Sequence, residues 1–62
     1  MKLKPLNKIK NKEEARQIAV EYQFWASNQS LSYSELATYG HYFELLGRKF
    51  HLIKEFKENG II

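Results

Sequence analysis

Apolar residues recur at intervals of three and four along two stretches of the chain, the spacing of one face of an α-helix. In the first stretch Ala15, Ile18, Ala19, Tyr22, Trp25 and Ala26 share a face. In the second, Leu36, Tyr39, Phe43, Leu46 and Phe50 form a heptad-like seam of large side chains. Local signals bound both stretches. Asn11 can accept from the free N–H groups of a first turn, and Glu14 follows at capping-box spacing. Glu13 and Glu14 also complement the positive end of the helix dipole. The polar run Ser27-Asn28-Gln29-Ser30 ends this helix. Ser32 and Glu35 make a second capping box, and Leu31 stands where a hydrophobic staple to Leu36 requires it.

The C-terminal third offers two solutions. Continuing the seam through Ile53 gives one long helix to Asn59, which leaves Phe50, Ile53 and Phe56 without a partner in a monomer. A break at His51 lets Leu52 pack back and a short third helix follow, and this is the solution we expect. Gly60 after Asn59 then reads as a left-handed cap, with Ile61 returning to Phe56 in a Schellman motif. The fold class is all-α: an antiparallel hairpin of helices at about 12–28 and 33–50, with a third helix at about 52–59. The short connection forces the antiparallel arrangement. Trp25 should then face Leu36, Tyr22 should lie near Tyr39 and Gly40, and Ile18 near Phe43. Gly40 and Gly47 each weaken a helix interior by about 1 kcal/mol against Ala. Packing of Tyr22 or Trp25 into the gap at Gly40 would account for the first.

Charge divides the chain unevenly. Lys2, Lys4, Lys8, Lys10 and Lys12 stand in residues 1–12 without an acid, whereas five cations face seven glutamates in the remainder. The expected organisation is a basic N-terminal arm, residues 1–10, on a single helical domain, residues 11–62. The five lysines are candidate phosphate contacts; alternatively they belong to a solvated chain end. Leu3, Leu6 and Ile9, spaced by three, can lay the arm back on the body, with Pro5 keeping it out of a helix interior.

At 62 residues the chain holds one small domain, and a chain this short buries only about 60% of its unfolded surface. A hydrophobic fraction of 44% beside 27% charged residues excludes a disordered chain. Without cysteine, stability has to come from packing or oligomerisation. There is no apolar run of membrane-spanning length and no signal-peptide core, so the expected compartment is the cytoplasm, with no membrane partner.

Little here suits catalysis. His41 and His51 match no metal motif, and neither Cys nor Asp is present to complete one. The glutamates serve helix starts or polar faces, and no nucleophile elbow or phosphate loop occurs. We expect no enzyme, no cofactor and no small-molecule substrate. A helix-turn-helix motif beginning at Leu31 would need a turn after Gly40 and a polar recognition helix. Instead the apolar seam runs through Gly40 into Tyr-Phe-Glu-Leu-Leu at 42–46.

The unusual feature is apolar side chains off the core stripe. Val20 and Phe24 lie opposite Ala15 and Tyr22 on the helical wheel, Leu45 faces away from the second seam, and Tyr42 sits at its border. Either the arm or the third helix covers them, or they form a protein-binding surface. Over residues 14–61, and chiefly in SLSYSELA and EFKENGI, the chain resembles small uncharacterised helical proteins of phages and mobile elements of low-GC bacteria. That resemblance implies a short intracellular accessory protein and supplies no catalytic residue. The expected function is a non-enzymatic module that binds a protein partner or a second copy of itself through Val20, Phe24, Tyr42 and Leu45. The alternative is a small nucleic-acid-binding regulator that uses the lysine arm.

Overall fold

The computed structural model describes residues 2–62. Three α-helices follow a single 3-10 turn at Leu6–Lys8: α1, Lys12–Ala26; α2, Tyr33–Phe50; and α3, Ile53–Glu58. There is no strand among the described residues. This is the all-α hairpin with a short third helix that the apolar spacing predicts.

The caps explain the boundaries. Asn11 accepts the Glu14 N–H at 2.8 Å and opens α1. The reciprocal half of that capping box does not form, because the Glu14 carboxylate takes the Lys4 ammonium and the Lys10 N–H instead of the Asn11 N–H. At α2 the box is complete: Ser32 Oγ accepts from the Glu35 N–H, and Glu35 Oε1 accepts from the Ser32 N–H. α1 stops at Ala26, two residues short of expectation. Ser27 Oγ and Asn28 Nδ2 both donate to the Phe24 carbonyl there, replacing the helical bonds. His51 ends α2 in the left-handed region at φ 58°, and the Leu52 N–H donates back to the Gly47 carbonyl at 2.7 Å. Gly60, at φ 72°, closes α3 as expected. Its N–H donates to the Lys57 carbonyl and the Ile61 N–H to Phe56, the two bonds of a Schellman motif.

A column of rings joins the helices. Tyr22 lies between Tyr39 and Phe43, with centroids 5.2 and 4.7 Å away, and Trp25 packs edge-on against Tyr39 at 5.5 Å. As α1 advances from 22 to 25 its partners recede from 43 to 39, so the pairing is antiparallel. Phe56 brings α3 edge-on to Phe43 at 6.0 Å. Ala15, Ala19, Leu46 and Leu52 fill the rest of the buried centre with Ile9 and Ile61.

Two expectations fail for physical reasons. Leu36, expected to face Trp25, is instead 49% exposed, and Trp25 packs edge-on against Tyr39. Gly40 is not filled by Tyr22 or Trp25, since a Cβ built there meets no atom within 4 Å. Gly47 has the opposite environment. A Cβ would lie 2.8 Å from Ile53 Cδ1 and 3.2 Å from the Ile53 backbone nitrogen, so its missing side chain is what lets α3 fold back on α2.

The N-terminal segment is part of the packed body. Ile9 is buried, and Leu3 and Leu6 pack against the core. Tyr42 donates to the Lys4 carbonyl at 2.6 Å and Lys49 to the Leu6 carbonyl at 2.8 Å.

Candidate interaction surfaces

Helical geometry fixes where the outward side chains of α1 go. Ala15, Ala19 and Tyr22 turn to α2, so Val20 and Phe24, a half-turn away, point outward. Phe24 is 73% exposed and Val20 44%, and a shallow groove between them is completed by Gln23 and Ser27. Neither of the expected covers reaches this face. The arm crosses Tyr42 and Lys49 on α2. α3 approaches α1 only along its flank, where Arg16 pairs with Glu55 at 2.9 Å and Gln23 donates to the Asn59 carbonyl at 2.7 Å.

The structure separates the other two residues grouped with this face. Tyr42 lies under the arm, half-buried, with its hydroxyl bonded to Lys4. Burial pushes that hydroxyl above its ordinary pKa, so it remains a donor at neutral pH. Leu45 is exposed, but on the side of α2 turned away from Phe43, hence away from Val20 and Phe24. Two further apolar residues are exposed, Tyr33, which the sequence pattern leaves unassigned, and Leu36, which it places in the α2 seam. Tyr33 is almost fully exposed at the start of α2, and Leu36 stands one turn later.

The lysines do not trail free. Lys4 is bound to Glu14, and that hydrogen bond, reinforced by the Lys10 N–H and by both ammonium charges, lowers the Glu14 pKa against an opposing effect of desolvation. Lys2, Lys8, Lys10 and Lys12 are exposed and enter no ion pair among the described residues. Lys12 shares a groove of about 300 Å³ with Arg16, His51 and Lys54, flanked by Glu55 and Glu58. Neither the arm nor α3 builds this groove alone; the packing of α1, α2 and α3 does.

The remaining titratable groups are dispersed. His41 is exposed on α2 and His51 is the left-handed cap ten residues on. The described residues hold no group of three or more potential metal ligands from His, Cys, Asp and Glu. Among the described residues, no helix is long and apolar enough to cross a membrane. Comparison with protein-family models, with curated proteins and with solved structures finds no match for this chain.

Proposed function

We propose that this chain is a small, non-enzymatic, cytoplasmic interaction module, and that the outer face of α1 is where it docks on protein. The supporting observation is Phe24, 73% exposed beside Val20 although the chain has apolar arm residues to spare and lays them elsewhere. A buried phenylalanine removes roughly 150–250 Å² from water, so one such ring in a partner's pocket is a substantial anchor. The occupant is a second copy of this chain or another polypeptide with a complementary apolar pocket.

The test is sedimentation equilibrium from micromolar to millimolar concentration. Self-docking gives a mass that rises with concentration and falls to the monomer in Phe24→Asp, with the helical circular-dichroism signal retained. A monomer throughout excludes self-docking. A photo-crosslinking side chain placed at position 24 in cells then has to capture one polypeptide that the same group at position 17 does not. With neither association nor selective capture, the proposal fails.

A further inference from the structure

The charge of this molecule divides end from end. All ten Lys and Arg residues lie outside residues 17–47, which contain Glu21, Glu35 and Glu44. The antiparallel hairpin folds that cation-free span back on itself, so its turn half carries Glu21 and Glu35, while Glu44 lies with Arg48 and Lys57 towards the other end. The start of α1 and the end of α2 meet at the other end, where the arm and α3 join them. There nine cations, from Lys4 to Lys57, stand against Glu13, Glu14, Glu44, Glu55 and Glu58.

Apolar exposure follows the opposite distribution. Among the described residues the exposed large hydrophobic side chains are Val20, Phe24, Tyr33, Leu36 and Leu45, all inside the cation-free span. At the basic end the apolar side chains, Leu3, Leu6, Phe50, Ile53 and Ile62, are partly buried, so charge dominates what it presents.

We propose that this basic end binds the phosphate backbone of a nucleic-acid duplex, with Lys12 and Lys54 at the centre of the contact and Lys8, Lys10 and Lys49 around it. Charge complementarity is the first argument. Lys8, Lys10, Lys12 and Lys54 are exposed and enter no ion pair among the described residues. Glu55, one acid at the groove, is already engaged by Arg16, which leaves Glu58 as the opposing charge. Preorganisation is the second. Buried Ile9, the Tyr42–Lys4 bond and the Lys49–Leu6 bond fix the arm, so binding does not have to order a loose tail.

The same observations narrow the ligand. A membrane surface binds segments that combine basic residues with a well-exposed apolar face, whereas the well-exposed large hydrophobics among the described residues all lie in the cation-free span. Lys12 and Lys54 share one groove while Lys8, Lys10 and Lys49 stand outside it, an arrangement that suits a polymer of spaced charges. Base reading is not part of the site. Arg16 and Arg48 are committed to Glu55 and Glu44, and the Asn11 side chain caps α1.

The experiment is fluorescence anisotropy of the full chain with a labelled 20-bp duplex of mixed sequence, between 50 and 200 mM NaCl. With about four phosphates engaged, affinity should fall roughly 100-fold across that range. Lys12→Gln/Lys54→Gln should weaken binding at 50 mM salt at least about tenfold and flatten the salt slope by about 2. Lys57→Gln, which lies in a different groove with Glu44 and Arg48, should change little, and Phe24→Asp nothing. Circular dichroism checks folding; if the double variant unfolds, Lys8→Gln/Lys10→Gln must show the same loss. The proposal is overturned by absent duplex binding at 50 mM salt or by an unchanged slope in the lysine variants. Binding to vesicles with 30% anionic lipid but not to the duplex overturns it as well, in favour of a membrane.

Discussion

Gly40 and Gly47 are the same residue type seven positions apart in one helix, and their surroundings give opposite predictions. Nothing lies within 4 Å of a Cβ at Gly40, and its backbone is helical, so Gly40→Ala removes unfolded-state freedom without a clash. We expect stabilisation of about 0.5–1 kcal/mol, an increase of several degrees in melting temperature for a domain this small. At Gly47 the Ile53 side chain and backbone nitrogen stand where the methyl would go. Gly47→Ala should therefore lower the melting temperature despite the same gain in helix propensity. Thermal unfolding of the two variants decides the matter; a fall at Gly40 or a rise at Gly47 contradicts the packing described. Sequence alone could not separate them. Both glycines border the seam, and which one meets α3 depends on where the chain reverses at His51.

At the scale of elements, the arm is a structural component first and a carrier of charge second. Ile9 is 2% exposed, so Ile9→Ala should reduce stability by about 2–4 kcal/mol, a large part of the ~3–9 kcal/mol available to a 62-residue domain. Urea titration measures this directly, and a loss below 1 kcal/mol would mean that the arm is not docked in solution. Glu14 gives the docking a pH dependence. Its carboxyl is held below the ordinary value of 4.5 by Lys4 first, so the stabilisation is complete above that value and disappears as the pH falls through the folded-state pKa. The urea midpoints of the wild type and Glu14→Gln should differ at pH 7 and converge towards pH 3; equal midpoints at both pH values would dismiss the contact. Among the elements, the helices were legible because spacing and caps agree at Asn11, Ser32 and Gly60. The destination of the arm was not. Leu3, Leu6 and Ile9 announce an apolar edge, but the groove that receives it belongs to Tyr42 and Lys49 on another helix.

For the whole molecule, tertiary structure changes what the charges mean. Sequence order presents five lysines followed by a mildly acidic body, whereas the hairpin sets a cationic end against an anionic turn. The exposed Val20–Phe24 face was legible from the helical wheel; the groove of Lys12, Arg16, His51 and Lys54 needed the closure of three helices. The absence of Lys and Arg between residues 16 and 48 is the sequence signal that, combined with an antiparallel hairpin, points to it. The arrangement has a consequence for stability. Like charges within a Debye length of about 10 Å repel, whereas the three exposed ion pairs, Lys4–Glu14, Arg16–Glu55 and Glu44–Arg48, each contribute about 0–1 kcal/mol. Added salt weakens both effects, but net positive charge remains at one end after the pairs are counted, and repulsion should dominate. The urea midpoint is therefore expected to rise between 20 and 200 mM NaCl, and Lys10→Gln should take up part of that rise at low salt. A midpoint that falls with salt would show that the ion pairs outweigh the repulsion, and that the positive end is less concentrated in solution than the fold makes it.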